Sequence, residues 1–372
     1  MSLSNARVHT AVQQRLFIDD DTGLAEHMAA LNACTSIGLD TEFVRDRTFF
    51  PKPGLLQFSD GETIWLIDPI ALSTSPIFRS WLADRMAHSD QVKILHSVGE
   101  DFEVLELLCG HYPTPLFDTQ IAAALLGHPL QMRYEVLAEA LLGLHFPGGK
   151  ARNNWCQRPL PDAWTEYASH DVIALPAMRE ELTHRLQQAG RLEWHQEDCA
   201  RSVQRASQVN DPVQRIKAAS RLDDASLALL MALSGWRDQQ ARQRDLPRSF
   251  VLNDQSMLAM TKKRPQTAAE LKSIDGLRPG FIRRHSDAIL AITRAQPAPF
   301  TRPAALHPIS ADQQQRIKHM QHAVAGVAEE LQLEAPLLAS RRDLTLLVLT
   351  GEADWLDGWR AGVLEQALAP WR

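Results

Sequence analysis

What this chain of 372 residues lacks narrows its class before any motif is read. Its four cysteines, Cys34, Cys109, Cys156 and Cys199, lie far apart with no CxxC pair. That spacing argues against a zinc site or a disulfide framework, and makes a reducing, cytoplasmic setting the expectation. Apolar runs such as IAAAL at 121–125 fall far short of the roughly 18–20 residues a membrane helix needs, so no membrane association is expected. The N-terminal stretch holds no unbroken apolar segment, and a secretory leader is not expected either. No GxxxxGK[ST] phosphate loop is present, which excludes a self-powered unwinding motor. Heptads and short-period repeats are also missing, and a monomer is the expected state.

What is there suits packed cores: hydrophobic residues make up 45% of a chain long enough for two or three domains. The net charge of −6 is unevenly spread. Residues 1–210 carry 17 basic against 27 acidic side chains, 211–296 carry 15 against 9, and 297–372 carry 7 against 9. An acidic first unit followed by a basic one is an asymmetry with functional meaning. Acidic surfaces repel phosphates, whereas an acidic pocket that captures divalent metal attracts them.

The first 200 residues alternate strand and helix patterns. SIGLDTEF (36–43) reads as a strand, and two more flank an Asp60-Gly61 turn. QVKILHS (91–97) is another strand, leading into the helical spacing of DFEVLELL. Ser97 and Glu100 have the spacing of a capping box, which sets Asp101 in a first helical turn. Asp118 is a plausible N-cap for a helix closing on Gly127. Residues 164–190 read as one long amphipathic helix kinked near Pro176. Beyond 210 the strand signals vanish. Helices over 213–293 are expected to break at Gly235, Pro247, Pro265 and Gly276, and Pro297, Pro299, Pro303 and Pro308 predict a stiff, extended linker before a final helical unit.

Acidic residues carry the chemical signal. Asp40 and Glu42, two apart on a strand, share one face of the sheet. Read alone, the pair is a strand end open to water. Asp101 follows a strand end, where open α/β sheets place ligands, although a carboxylate there also suits the helix dipole. Tyr167 and Asp171 share a helical face beside the apolar seam of Trp164, Ala168, Leu175 and Leu182, where a simple Tyr–Asp hydrogen bond is the plainer reading. Together the four acids would repel strongly without counter-charge. Two hard divalent cations, Mg²⁺ or Mn²⁺, resolve that repulsion, and such pairs clamp the attacking and leaving oxygens of a phosphoryl displacement. Tyr167 could orient the attacking water or help deprotonate it.

These segments resemble the three motifs of the DEDD exonucleases. GLDTEFVRDRTFFPKPGLLQFSDGE holds Asp40 and Glu42, ILHSVGEDFEVL holds Asp101, and YASHDVIAL holds Tyr167 and Asp171, the tyrosine marking the DEDDy branch. The whole chain is similar to the bacterial ribonuclease D family, which joins a ribonuclease-H-like exonuclease domain to HRDC (helicase and RNase D C-terminal) modules. SLALLMALSGWRDQQARQRDLPRSFVLNDQSMLAM with LKSIDGLRPGFIRRHSDAIL resembles the first module, and PLLASRRDLTLLV with LDGWRAGVLEQAL a divergent second. The resemblance implies an α/β domain over 1–205 (a mixed sheet flanked by helices), all-α HRDC domains over 211–294 and 309–372, and a linker over 295–308. It further implies that Asp40 bridges both ions, Glu42 and Asp171 complete the water-activating site, Asp101 supports the second ion, and Tyr167 positions the nucleophile. RNA would lose 5′-mononucleotides from its 3′ end, with tRNA precursors as the implied substrate.

One departure is RNNWCQRPL, where Asn153 and Asn154 stand at a position commonly acidic in the family; a change at the periphery is expected. His96 and His170 read as neutral packing or hydrogen-bonding histidines rather than ligands, and Phe43 as either a base-stacking ring or core. Arg242 and Arg244, with Arg237 and Arg248 nearby, Lys262-Lys263-Arg264, and Arg283-Arg284 form basic clusters suited to RNA phosphates. The last unit, net acidic, would ring the entry. Two other functions remain open: a 3′–5′ DNA exonuclease, since sugar choice needs only one or two contacts, and a silent RNA-binding adaptor. Retention of four mutually repelling acids argues against the adaptor.

Overall fold

Alternating apolar and polar side chains over short runs produce strands first, then helices alone. The computed structural model describes residues 14–87, 90–147, 153–208, 211–295 and 300–371. The opening elements are β1 (Gln14–Ile18), α1 (Asp21–Ala33), β2 (Ser36–Val44), β3 (Lys52–Ser59) and β4 (Thr63–Ile67). Next come α2 (Pro76–Ala87), β5 (Val92–Leu95), α3 (Asp101–Cys109) and β6 (Leu116–Asp118). The helices α4 (Thr119–Leu125), α5 (Tyr134–Leu142), α6 (Asp162–Ile173), α7 (Leu175–Gln188) and α8 (Leu192–Ser207) complete the first unit.

The strands form one mixed sheet in the order β1–β4–β3–β2–β5–β6, with β3 antiparallel to both its neighbours and the other pairs parallel. Strand alternation feeds two cores. Leu39, Phe58 and Trp65 face a layer made by α1, α2 and α3. Leu55, Ile64 and Leu66 face the opposite layer, which includes α4 to α7. Burying a large apolar side chain in either layer is worth about 1.5–3 kcal/mol. The Asp60 carboxylate accepts from the amides of Glu62 (2.9 Å) and Thr63 (2.7 Å), closing the β3–β4 hairpin at the anticipated turn.

The helix expected over 164–190 is instead two. Pro176 has no N–H to bond the Val172 carbonyl, and its ring opposes a continuous helix. The chain breaks at Ala174, whose amide donates to the Tyr134 hydroxyl (3.2 Å), and α7 restarts with Pro176 in its first turn.

The second unit comprises α9 (Asp224–Gln243), α10 (Arg248–Val251), α11 (Asp254–Lys263), α12 (Ala268–Lys272) and α13 (Pro279–Arg294) around its own core of Leu227, Leu230, Met257, Met260 and Ile289. Gly235 does not break it: the residue is exposed inside α9, and the buried leucines on the far face outweigh the roughly 1 kcal/mol a mid-helix glycine costs. The stiff-linker expectation also needs correction. Pro297 and Pro299 lie outside the described residues, but Phe300 and Leu306 pack into this same core. Arg302 ties the segment down through Asp224 (2.8 Å) and the Leu222 carbonyl (2.7 Å).

The last unit is α14 (Ala311–Leu331), α15 (Ala335–Leu338), α16 (Arg341–Thr350) and α17 (Gly358–Leu368). Its buried Ile317, Val324, Leu347 and Leu364 are continuous with the α4–α7 core of the first unit. Among the described residues no helix is long and apolar enough to cross a membrane.

Candidate active site

Period-two alternation along β2 sends Gly38, Asp40 and Glu42 to the face covered by α6 and α7. Gly38 permits the approach: a Cβ there would lie 3.0 Å from the Val172 carbonyl oxygen and 3.1 Å from Leu175 Cβ. The α6 helix is thereby seated against β2, and Asp171 meets the strand's two acids. One carboxylate oxygen from each of Asp40, Glu42 and Asp171 lies within 4.8 Å of the others. Tyr167, one turn earlier on α6, donates its hydroxyl to Asp171.

Asp101 reaches the site from elsewhere. It opens α3 on the opposite face of the sheet and is buried, and Thr41 Oγ1 donates to its Oδ1 (2.6 Å). It stands outside the tight group of three, yet its charge acts on both Asp40 and Glu42. The anticipated Ser97–Glu100 capping box is not formed: Glu100 is the N-cap and its side chain makes no cap bond. Asp118 does that work from the next strand. Its carboxylate accepts from the amides of Ser97 and Val98 (3.1 Å each), holding the turn before Asp101, and from Gln120 (2.8 Å) as the expected N-cap of α4.

Electrostatics mark the cluster as unfinished. Burial pushes the Glu42 carboxyl up to about 9, with repulsion from Asp171 and Asp101 adding to it. Burial, then the charges of Asp101, Asp171 and Glu42, drive Asp40 well above the usual carboxylate range. Asp101 and Asp171 rise to about 7, burial leading in each, while bonds from Thr41 and Tyr167 respectively oppose the rise. Burial and the neighbouring acids push the Tyr167 phenol upward, so it stays neutral. Converging, all-oxygen, mutually repelling carboxylates are the donor set of a hard divalent cation.

Asn153 and Asn154 are half-buried and exposed respectively, and the residue that follows them lies behind Tyr167. Trp155 is fully buried, 5.6 Å from the ring of Trp164 and 6.3 Å from that of Tyr167. It backs directly onto β3, where a Cβ on Gly54 would fall 2.5 Å from Trp155 Cβ. Arg158 bolts the segment down, bonding Asp68 through two oxygens (2.5 and 2.6 Å) and the Gly54 carbonyl (2.6 Å).

The remaining candidates are placed as follows. His96 bonds Thr119 Oγ1 (2.8 Å) and the Met132 carbonyl (2.9 Å), and burial lowers its pKa; His170 packs beside Phe146. His96 is thus a hydrogen-bonding group and His170 a packing one. Phe43 follows a bulge in β2 and is half-buried, with the Arg45 guanidinium 6.0 Å from its ring. Arg237 is buried and paired with Asp254, which removes it from any docking surface. Arg242 bonds Asp238 (2.8 Å) and, with Arg248, covers the Phe49 ring of the β2–β3 connection at 4.8 and 4.5 Å. Arg244 lies 3.5 Å from His285, and Lys262, Lys263 and Arg264 are exposed at the end of α11. Among the described residues none of these bases is ion-paired with Asp40, Glu42, Asp101 or Asp171. Sequence reasoning missed Thr41, whose place between Asp40 and Glu42 on the alternate face was the available signal.

A model of 3′–5′ exonucleases matches residues 16–187, and the HRDC domain model matches 226–293. Fold and site together define a 3′–5′ exonuclease domain joined to an HRDC module. Ribonuclease D of Xanthomonas oryzae pv. oryzae is 37% identical over 342 residues, spanning 90% of this chain and 92% of its own length. That of Pseudomonas paraeruginosa is 33% identical over 367 residues, spanning 95% and 96%. The crystal structure of Escherichia coli RNase D, described as an exoribonuclease involved in structured RNA processing, superposes with a TM-score of 0.86 at 30% identity, covering 96% of this chain and 98% of that one. The chain belongs to the ribonuclease D family of 3′–5′ exoribonucleases.

Proposed function

We propose that this protein trims the 3′ ends of structured RNA, tRNA precursors among them, releasing 5′-mononucleotides with the help of two divalent ions, Mg²⁺ or Mn²⁺. The observation that carries the reading is the meeting of Asp40, Glu42 and Asp171 within 4.8 Å, with Tyr167 bonded to the last. Asp40, Glu42 and Asp171 would hold one ion, and Asp40 with Asp101 the other. Bound there, the ions supply Lewis acidity and charge neutralisation for in-line displacement at phosphorus. The chain's own groups do the rest. Tyr167, a neutral phenol, is suited to orienting the attacking water rather than removing its proton, and Asp171 fixes the direction of that hydroxyl. Phe43 at the strand end offers a face for the terminal base. Lys262, Lys263, Arg264, Arg242 and Arg244 lend non-specific phosphate affinity from the HRDC unit, which tethers the substrate near the site as a monomer would need.

The decisive experiment follows products from a 3′-extended tRNA with Mg²⁺, Mn²⁺ or chelator, alongside a 3′-blocked copy and a matched DNA strand. Mononucleotides from free RNA ends alone support the reading; equal use of DNA, or no cleavage, overturns it. Asp101→Asn should cut turnover by at least about a hundredfold while RNA affinity stays within a few fold. pH offers an independent check. Carboxyls raised in the folded state bind more protons than in the unfolded chain, so metal-free stability falls as pH climbs through about 7 for Asp101 and Asp171 and about 9 for Glu42. Cations bind the deprotonated form. The rise in melting temperature on adding Mg²⁺ should therefore grow from about pH 6 to about pH 9, and a flat response would count against the site.

A further inference from the structure

Gln57 on β3 is fully buried, and neither its side-chain nitrogen nor its oxygen has a hydrogen-bond partner. A buried amide without partners costs about 1–3 kcal/mol on mutational scales, and a glutamine in a β-strand core has no packing reason to be preferred over methionine or leucine. Position explains what burial does not. In the antiparallel β2–β3 register Gln57 stands directly opposite Asp40. Side chains so paired lie on one face with Cβ atoms about 4.5–5.5 Å apart. That face is the one occupied by Glu42 and covered by α6 with Asp171, while Leu56 and Phe58 on either side of Gln57 point into the other core.

We propose that Gln57 is a positioning residue of the metal centre, its side-chain amide hydrogen-bonding the Asp40 carboxylate in the loaded site. The inference rests on the active-site reading above and deepens it. A carboxylate that serves cations through some of its oxygen lone pairs needs its remaining ones oriented, and partners of this kind matter nearly as much as the ligands themselves. An amide N–H donates without adding charge, so it does not compete with the cation for Asp40 as a lysine or arginine would. The cost of leaving it unpaired is carried by the metal-free protein, which makes the residue's effects on stability and on function opposite in sign.

The test compares the full-length wild type with Gln57→Met and Gln57→Leu, which preserve apolar volume. Melting is recorded in chelator, Mn²⁺ affinity by calorimetry, and kcat and KM on a 3′-hydroxyl RNA. The expected result is a metal-free melting temperature equal to or above wild type in both variants. Mn²⁺ affinity should fall about tenfold and kcat by about 10–100-fold, with KM for RNA unchanged. Wild-type Mn²⁺ affinity and kcat in either folded variant would overturn the positioning role. A metal-free stability loss in both would overturn it too, by showing that the amide supports the fold. If wild type binds no Mn²⁺, the active-site reading itself fails; if wild type binds Mn²⁺ and cuts RNA while the variants match it, only the Gln57 inference does.

Discussion

The last helical unit merges its apolar core with that of the exonuclease domain, whereas the HRDC unit keeps a core of its own, holds one exonuclease loop and touches the last unit where the segment around Leu306 meets α16. At the first junction Trp194 of α8 stacks on Trp359 of α17 (4.5 Å, 9° between planes). Beside that stack Asp198, buried, accepts from Trp359 Nε1 (3.1 Å) and from both terminal nitrogens of Arg360. Arg360 also bonds the carbonyls of Leu337 (2.8 Å) and Leu338 (3.1 Å), so its charge is fully enclosed. At the second junction Asp245 accepts from the amides of Phe49 (2.9 Å) and Phe50 (3.0 Å), and the Phe49 ring enters between Arg242 and Arg248. A shared core unfolds with its host. A loop held by a carboxylate and two guanidiniums can release without unfolding anything. The contrast leaves the HRDC unit the more readily displaced of the two and makes the last unit part of the scaffold, seated over α8 beside the β6 edge of the sheet.

The comparison can be broken most severely at Asp198. Asp198→Ala would strand Arg360 as a buried, unpaired charge, and denaturant unfolding of the full chain should register a loss of about 3–5 kcal/mol shared by the exonuclease domain. A loss under about 1 kcal/mol, or melting of the last unit alone, would contradict the shared core. At the other junction Asp245→Ala should cost about 1–3 kcal/mol, felt locally. Amide hydrogen exchange should quicken at Phe49 and Phe50 while exchange in β2 and β5 holds steady. Uniform acceleration would mean that this contact, too, is part of the global fold. The smallest effect belongs to the ring itself. Phe49→Leu keeps the apolar volume and removes the attraction to two cations, worth about 0.5–1 kcal/mol, which a double-mutant cycle with Arg242→Met would isolate.

Much of the exonuclease half was legible because its signals are local. The alternation of SIGLDTEF, the Asp60-Gly61 turn and the Asp118 cap each depend on a handful of neighbouring residues, and the structure has them where the pattern predicts. The same holds for the acids, each displayed at the end of a strand or on a helix face that periodicity already defines. What the sequence hid is non-local. The apolar seam runs straight through Ala174, so the sequence announced a kink near Pro176 but not a full break, whose compensating bond comes from Tyr134 in a distant segment. Asp245 and Phe49 are nearly two hundred positions apart, and nothing in either neighbourhood announces the other. Nothing in the local pattern around Gln57 singles it out; only the register sets it opposite Asp40.

The contact between Gly54 and Trp155 has a consequence for how natural variation in this enzyme should be read. Only a hydrogen fits between that strand and the Cβ and main chain of Trp155, and the indole of that residue in turn packs beside the phenol. A lone methyl group at position 54 would therefore travel through two rings to misdirect the water-orienting hydroxyl, leaving every metal ligand in its place. Such a variant would still take up cations and still bind RNA, and would be silent all the same.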